Sequence, residues 1–343
     1  MNTPLISIIV PIYNTEHYLH HCIDTLLPGG DDVEIIIVND GSKDDTGKIA
    51  DEYAEKYPNI VRVVHKENGG HGSGVNKGIE LATGKYLKVV DSDDWVDENA
   101  YKVYLETIKN HVDNDILVDV YFTNFVYENK VKNSQYTLKL NSHFPTDRVF
   151  GWKDVKRFKT GQFLMMHSLT YNVETLRRSN TKLLEKTFYV DHIFTYQPMA
   201  FCKTMYFIDV DLYRYFIGRN DQSINVDNMV KRYDQQLRVI DYISNIYSME
   251  YLNTLEKNQK KYMVHLLGII SFTTLIFIYG KYDKIKGDAY KAYWKKFKEN
   301  NKALYSKIRW RSQVCVPFLL PRFIRKWVVI AGYKVVCKIT KWG

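Results

Sequence analysis

The sequence predicts an α/β protein with a Rossmann-like, mostly parallel central sheet, followed by a mainly helical C-terminal region. In the first hundred residues, short apolar runs alternate with helix-like stretches, a rhythm typical of β-α-β units. After Asn225 the chain consists of long polar-apolar repeats, with few Gly or Pro before Pro317. With 343 residues, 45% of them hydrophobic, the chain is long enough for two core-bearing units.

The individual elements follow from the spacing of apolar and helix-capping residues. We expect helices to be opened or closed by Asp, Ser, Asn or Gly, and strands to be short uninterrupted apolar runs. The first hundred residues are then predicted to have strands at 5–10, 33–38, 60–64 and 86–90, with helices at 16–27, 43–57 and 75–82. The next hundred residues are predicted to add strands at 116–127 and 205–216 and a helix at 190–202.

Each of the first four predicted strands is followed by a polar or glycine-rich loop. These loops are Pro11-Ile12-Tyr13-Asn14, Asn39-Asp40-Gly41-Ser42, the run from Asn68 to Gly74, and Asp91-Ser92-Asp93-Asp94. In open parallel sheets, ligands bind in the crevice at the carboxyl ends of the strands. The four loops therefore predict a ligand site at that edge.

The acidic loop after the fourth strand predicts a cation site. Asp91, Asp93 and Asp94 hold their carboxylates close together, and such charges repel unless something positive lies between them. Mg²⁺ and Mn²⁺ take oxygen ligands from one or two carboxylates plus substrate phosphates. The alternative is an Asp-rich turn that caps the next helix, with Asp97 and Glu98 in its first turn.

Asp40 follows the second predicted strand, and we expect that strand to lie beside the strand that ends at Asp91. A carboxylate at this position accepts a hydrogen bond from a nucleobase N–H. The alternative is a turn in which Ser42 or Asp44 caps the following helix.

Several other protein classes are excluded by spacing. Gly70, Gly72 and Gly74 lack the Gly-x-Gly-x-x-Gly spacing of a dinucleotide site, and Gly78 to Lys85 is one residue too long for a P-loop. The four cysteines form no Cys-x-x-Cys pair, which disfavours a disulfide framework or a zinc site.

The N-terminus has no basic region or cleavage site of a secretory signal, so we expect a cytoplasmic protein.

Taken together, these motifs resemble the family 2 glycosyltransferases of the bacterial cell-surface polysaccharide type, which have the GT-A fold. The order and spacing of the motifs over residues 5–95 carry the resemblance, which continues faintly to about Ile224. The matching segments are Ser7 to Asn14, Ile37 to Ser42 with Asp45-Thr46, Asn68-Gly69-Gly70 with Asn76-Lys77-Gly78, and Gly84-Lys85-Tyr86 leading into Asp91-Ser92-Asp93-Asp94.

The resemblance implies transfer of a sugar from a nucleotide diphosphate, with a UDP-sugar favoured, to an acceptor hydroxyl with inversion. It implies that Asp93 binds Mn²⁺ or Mg²⁺, which would neutralise charge on the leaving diphosphate. The donor-binding residues it implies are Pro11, Tyr13, Asn14, Asp40, Gly70, Asn76, Asp91 and Ser92.

The resemblance also implies a general base at Asp191, in Phe188-Tyr189-Val190-Asp191-His192, where Val190 replaces the family's usual Glu. An acceptor alcohol must lose its proton as it attacks, so a carboxylate is needed opposite the donor. The alternative for Asp191 is a helix N-cap. If Asp191 is not the base, His167 and His192 are the next candidates.

One motif departs from the family pattern. Gly74-Val75 stands where many relatives have Ala-Arg, whose Arg can contact the diphosphate, and His71, Lys66 and Lys77 remain open as replacements. Arg219, Gln222, Ser223 and Ile224 resemble a loop that closes over the donor in relatives, although a solvated turn is equally consistent with them.

The C-terminal quarter is strongly basic. Residues 281–343 carry 17 basic and three acidic side chains, a net charge of +14, which leaves −5 for the first 280 residues. Lys334, Lys338 and Lys341 fall on one helical face, and Val335, Val336, Ile339 and Trp342 on another. This pattern favours a membrane surface; a subunit contact is the second choice, and nucleic acid is disfavoured because the apolar face would be exposed to water.

The run 263–279 is almost uncharged but shorter than the ~20 residues of a usual span, so we expect a helix buried against the catalytic domain or a partner subunit, with a membrane span as the minority interpretation. The predicted organisation is a nucleotide-sugar-binding half at 1–110, an acceptor-binding half at 111–225 and a helical region at 226–343. We expect the enzyme at the inner face of the cell membrane, acting on a lipid-linked or cell-envelope polysaccharide. The alternative is a non-catalytic nucleotide-sugar- or carbohydrate-binding module.

Overall fold

A computed structural model describes residues 3–130, 133–159, 161–218, 226–281, 283–311, 319–321, 324–325 and 327–332. The chain forms two compact units. Unit 1 comprises Met1–Val155 and Leu164–Ile217, and unit 2 comprises Lys156–Phe163 and Gly218–Gly343. The predicted segments Arg219, Gln222, Ser223 and Ile224, and Lys334 to Trp342, lie outside the described residues.

Unit 1 is built on one sheet of nine strands. The strands are β1 Ile6–Ile12, β2 Val33–Asn39, β3 Val61–His65, β4 Tyr86–Val89, β5 Trp95–Val96, β6 Val120–Asn129, β7 Ser134–Leu138, β8 Leu169–Asn172 and β9 Met205–Ile217. Their order across the sheet is β3-β2-β1-β4-β8-β6-β9-β5, and β7, which is off this path, pairs with residues 125–129 of β6. The first four strands are mutually parallel, and β8 joins them to the second half through antiparallel pairs with β4 and β6.

Six α-helices accompany these strands in the described part of unit 1. They are α1 Glu16–Leu26, α2 Thr46–Lys56, α3 His71–Leu81, α4 Glu98–Asp113, α5 Val173–Arg178 and α6 Asp191–Tyr196. Strands β1 and β2 are buried throughout except at Glu34, which explains why their sequences are nearly continuous apolar runs. The predicted α/β class with a mostly parallel sheet and a helical C-terminal region is confirmed.

The third helix begins four residues earlier than predicted. Gly70 is its N-cap with φ +83°, and His71 is already helical. The glycines that made this stretch look like a loop are packing positions: a Cβ on Gly72 would lie 2.5 Å from the Leu184 carbonyl oxygen. Similarly, the predicted helix 190–202 ends at Tyr196, and a short 3₁₀ turn at Pro198–Ala200 follows.

The expectation that Asp40 and Asp91 end neighbouring strands is wrong. Strand β1 lies between β2 and β4 and pairs in parallel with both. The chain moves outward from β1 to β2 and β3, then returns to the other side of β1 as β4. Reversal of strand order at β1 creates the kind of crevice in which α/β sheets bind ligands.

Unit 2 is helical. Its helices are α7 Val226–Lys231, α8 Tyr233–Ile246, α9 Met249–Thr254, α10 Lys257–Tyr279, α11 Lys284–Asn300 and α12 Lys302–Arg309. Helix α10 is long and apolar enough to cross a membrane, but 83% of its most apolar window is buried inside the protein. It packs against the other helices of its unit, and its Ser271 and Thr274 hydroxyls donate to carbonyls one turn earlier. The helix is buried, as predicted, and the helices it packs against belong to its own unit.

Candidate active site

Asp40 lies directly beyond β2 and is almost fully buried. Its Oδ1 accepts hydrogen bonds from Lys66 Nζ at 2.7 Å and from Gly69 N at 2.9 Å, and its Oδ2 accepts one from Gly70 N at 2.7 Å. A buried carboxylate needs such partners, because its charge would otherwise be strongly destabilising. Asp40 therefore organises the loop before α3, and Oδ2 retains lone-pair capacity for a further donor.

The loops after β1 and β2 are held together by reciprocal hydrogen bonds. Asn14 N donates to Ser42 Oγ at 3.1 Å, and Lys43 N donates to Asn14 Oδ1 at 2.9 Å. Asn14 has φ +51°, a conformation that Asn tolerates better than most residues. Tyr13, beside it, exposes 45% of its surface, so its ring is accessible at the crevice rim, whereas Pro11 is buried within β1.

Helix α3 holds the segment 183–187. Asn76 Nδ2 donates to the Leu183 carbonyl at 2.9 Å, and Leu183 N donates to Asn76 Oδ1 at 2.8 Å. Lys186 N donates to the Gly69 carbonyl, and a Cβ on Gly70 would lie 3.2 Å from Lys186 N. Asn76 and Gly70 therefore support the segment that leads to Asp191.

Asp91 and His71 form a pair at the end of β4. His71 Nε2 lies 2.9 Å from Asp91 Oδ1, and the two side chains are 34% and 25% exposed. Burial opposes ionisation of both groups. Nevertheless, the charge and hydrogen bond of His71 hold the pKa of Asp91 below its ordinary value, and Asp91, Asp191 and Asp93 together raise the pKa of His71.

Asp94 is the structural member of the acidic cluster. Its Oδ2 accepts from the Tyr213 hydroxyl at 2.6 Å and its Oδ1 accepts from Phe216 N at 2.8 Å. Burial, followed by the charges of Asp93 and Asp91, raises the pKa of Asp94 well above its ordinary value. Asp94 thus anchors the loop to β9, while Asp93 is half-buried and Ser92 is buried.

The acidic loop has the chemistry of a hard-cation site. Ligand atoms of Asp91, Asp94 and His167 lie within 4.8 Å of one another. The two Asp94 oxygens, however, are already engaged with β9. The carboxylates of Asp91 and Asp93 are the oxygen donors that fit Mg²⁺ or Mn²⁺, and Asp93 remains our candidate ligand.

Two buried basic residues lie next to this cluster, and sequence reasoning gave neither a leading role. His167 packs between Tyr213 and Tyr215, its Nδ1 has no hydrogen-bond partner among the described residues, and burial lowers its pKa to about 4. Lys88 in β4 donates to the His167 carbonyl at 2.8 Å, and burial lowers its pKa to about 7. The sequence feature that could have identified Lys88 is the presence of a lysine inside an otherwise apolar strand.

Asp191 occupies the first position of α6, after Tyr189, whose φ is +64°. It is half-buried, and its charge acts on both His71 and His167. Asp91 is hydrogen-bonded to the His71 imidazole, and the charges of Asp93 and Asp191 act on the same ring. Such an arrangement combines a carboxylate able to accept a proton with carboxylates able to bind a cation.

The fold and the polar crevice define the class of protein: a glycosyltransferase with the GT-A fold. The model of the glycosyl transferase family 2 matches residues 7–188. The protein named "Putative glycosyltransferase EpsH" of Bacillus subtilis is 30% identical over 275 residues, covering 76% of this chain and 74% of EpsH. The minor teichoic acid biosynthesis protein GgaB of Bacillus subtilis is 39% identical over 108 residues, 31% of this chain and 12% of GgaB.

Among solved structures, residues 1–349 of S. aureus TarS in complex with UDP-GlcNAc have a similar fold. The TM-score is 0.68 at 19% sequence identity, over 96% of this chain and 90% of that one. The chain therefore belongs to glycosyl transferase family 2 and is a glycosyltransferase. The GT-A fold and the enzyme class that the motifs implied are confirmed.

Proposed function

We propose that this glycosyltransferase moves a sugar, with inversion, from a nucleotide-diphosphate donor to the hydroxyl of a lipid-linked or cell-envelope polysaccharide. The observation that supports this most is the hydrogen bond between Asp91 and His71, together with the charges of Asp93 and Asp191 that act on the same imidazole. A capping turn or a simple sugar-binding surface does not require three carboxylates at one point. A direct transfer requires both a site for the donor phosphates and a base for the acceptor.

In the proposed complex, the nucleoside lies against the loops after β1 and β2. Asp40 Oδ2 would accept a nucleobase N–H, with Pro11, Tyr13 and Asn14 forming the surrounding surface. Asp91 and Ser92 would contact the ribose or the sugar. Because Asn76 and Gly70 are already in contact with the 183–187 segment, we propose that they act by positioning it.

Asp93 is the proposed ligand of Mn²⁺ or Mg²⁺, with Asp91 beside it. A bound cation would neutralise negative charge that develops on the leaving diphosphate. The carboxylates would hold the cation at the end of β4, and Asp94 keeps that loop in place through Tyr213 and Phe216.

Asp191 is the proposed general base. It would accept the proton of the acceptor hydroxyl while the oxygen attacks the anomeric carbon and the bond to the diphosphate breaks. Its position at the start of α6 would fix the carboxylate relative to the bound donor. UDP is the favoured nucleotide, a choice supported by the UDP-GlcNAc bound to the TarS neighbour.

The proposed place of action is the inner face of the cell membrane. The basic C-terminal quarter favours an anionic surface, and the similarity to GgaB, a teichoic acid biosynthesis protein, is consistent with a cell-envelope acceptor.

The decisive experiment is thermal unfolding with a panel of UDP-, GDP- and dTDP-sugars, with Mn²⁺ and with excess EDTA. One donor class should raise Tm in Mn²⁺, since a ligand that binds only the folded state stabilises it. EDTA should remove both that shift and the release of nucleoside diphosphate. Stabilisation and turnover at full rate in EDTA would contradict the role of Asp93.

A further inference from the structure

Arg311, in unit 2, carries a partly buried positive charge that no carboxylate of the described residues neutralises. It lies two residues after α12, and its side chain packs against α10, where a Cβ on Gly268 would lie 2.8 Å from both its Cδ and its Nε. The Nε atom is buried and has no hydrogen-bond acceptor in the part of the chain that the structure describes. Because a buried N–H without an acceptor is costly, this atom favours binding of an oxygen from outside the chain.

His265 orients the guanidinium of Arg311. The imidazole Nε2 lies 2.8 Å from the Gln162 carbonyl oxygen, which can only accept, so Nε2 is the donor of that hydrogen bond. In the neutral ring Nδ1 is then an acceptor, and Arg311 Nη2 lies 3.4 Å from it. A neutral imidazole therefore fixes the direction of the guanidinium and leaves its charge uncompensated.

Arg157 adds a second positive charge near Arg311. Burial and the charge of Arg157 both lower the pKa of Arg311. Arg157 is exposed, and neither arginine forms an ion pair with a carboxylate among the described residues. Two guanidinium groups in electrostatic range repel each other unless an anion lies between them. Their planar forks match the oxygens of a phosphate, which accepts two parallel N–H bonds.

The surroundings of Arg311 favour a lipid as the source of that phosphate. Trp310, the preceding residue, exposes 67% of its surface, and residues 281–343 carry a net charge of +14. Tryptophan is enriched at the level of lipid headgroups, and basic clusters bind headgroup phosphates there. We propose that Arg311 and Arg157 bind the phosphate of a membrane lipid headgroup, with His265 positioning Arg311.

This inference rests on the proposed place of action at the membrane and goes beyond it. General attraction between a basic region and an anionic surface depends on the number of charges, whereas a phosphate site also depends on the shape of the guanidinium. Replacement of arginine by lysine keeps the charge and removes the fork, so it separates the two.

The test measures co-sedimentation of the full chain with vesicles of phosphatidylcholine, with and without phosphatidylglycerol. Arg311→Lys should weaken binding to the anionic vesicles by roughly 10-fold or more, because a charge-assisted contact is lost at unchanged net charge. Arg157→Lys should weaken it by about 3-fold or more, and remains informative if Arg311→Lys does not fold, since Arg157 is exposed. Lys307→Gln removes one charge from an exposed position of α12 and calibrates the effect of charge alone, about 5-fold at most.

Wild-type binding by both lysine variants would overturn the proposal. Thermal unfolding with inorganic phosphate distinguishes a lipid headgroup from a free anion. Stabilisation by phosphate that requires Arg311, combined with vesicle binding that does not, would identify free phosphate as the ligand and contradict the lipid assignment. If the wild type binds neither kind of vesicle, the proposed membrane location itself fails and this inference with it, a result distinct from equal binding of the wild type and the variants.

Discussion

Asp191 is the residue on which the proposed chemistry depends most. Replacement by Asn keeps the shape of the side chain but removes its ability to accept a proton. We expect Asp191→Asn to lower kcat by roughly 10²- to 10⁴-fold. Donor affinity should stay within about 3-fold, because the donor contacts lie on other elements.

Initial-rate kinetics together with donor-binding calorimetry would check this expectation. Asp51→Asn, on the exposed face of α2, is the matched control and should retain full activity. Turnover that survives in Asp191→Asn would direct attention to His167 or His192 as the base.

Lys88 makes the wild-type protein less stable than an apolar residue would at neutral pH. Its folded-state pKa of about 7 is below the ordinary 10.5, so between these values the unfolded chain binds more protons than the folded one. The free energy of unfolding of the wild type therefore rises with pH between these two pKa values. The destabilisation caused by Lys88 is greatest below the lower one. Lys88→Met should be more stable than the wild type at pH 6, by an order of 2 kcal/mol after loss of the His167 contact.

Urea unfolding at several pH values from 6 to 10 measures this difference, which should shrink steadily toward pH 10. Lys85→Met removes an exposed lysine three residues earlier and should show no such trend. A difference between Lys88→Met and the wild type that is independent of pH would mean that Lys88 is not desolvated as described.

At the scale of single residues, the sequence was informative about polar side chains in strand-end loops and uninformative about side chains inside strands. Asp40, Asp91 and Asp93 could be selected because polar residues follow apolar runs. The partnership of His71 with Asp91 joins residues 20 positions apart, and its geometry depends on where α3 begins. The periodicity of apolar residues in the sequence does not give the distance between His71 and Asp91.

Among the secondary-structure elements, α3 connects the donor loops with the segment leading to Asp191. Alanine in a helix interior is usually about 1 kcal/mol more favourable than glycine. At Gly72 we expect alanine to be less favourable than glycine, because the new Cβ would lie 2.5 Å from the Leu184 carbonyl oxygen. We expect Gly72→Ala to destabilise the protein by about 1–3 kcal/mol and to lower kcat through displacement of the 183–187 segment.

Gly268→Ala in α10 is the matched control. There the new Cβ would meet the side chain of Arg311, which can move, so the substitution should be neutral or stabilising. Thermal unfolding and initial rates of both variants provide the comparison. A Gly72→Ala protein with raised Tm and full activity would show that the close approach to Leu184 is not required.

The elements themselves were largely predictable because each of the first four strands is an apolar run with a polar end. The strand order was not, because β2 and β4 have equally apolar sequences and only the chain's return past β1 places them on opposite sides of it. The start of α3 was missed for a related reason. Glycine indicates a loop by local propensity, but here it permits close packing between a helix and a carbonyl group.

At the scale of the whole molecule, the basic C-terminal quarter also contains much of the exposed apolar surface among the described residues. Trp310, Leu319 and Trp327 are each about two-thirds exposed or more, at 67%, 72% and 69%. Exposed tryptophans beside lysines and arginines are typical of a lipid headgroup layer. This coincidence supports the membrane-surface proposal independently of the sequence pattern at residues 334–342.

The final prediction follows from that charge. Replacing Lys334, Lys338 and Lys341 by Gln removes three positive charges, each worth about 1 kcal/mol near an anionic surface. Co-sedimentation with vesicles rich in phosphatidylglycerol should fall by at least 10-fold, and raised salt should weaken the wild type in the same way, because the attraction is screened. Gln at Lys48, Lys56 and Lys102 removes the same charge from exposed positions of unit 1 and should leave sedimentation unchanged. Equal sedimentation of all three proteins would exclude electrostatic attachment through the C-terminal quarter, and a change in oligomeric state of the first variant would favour a subunit contact instead.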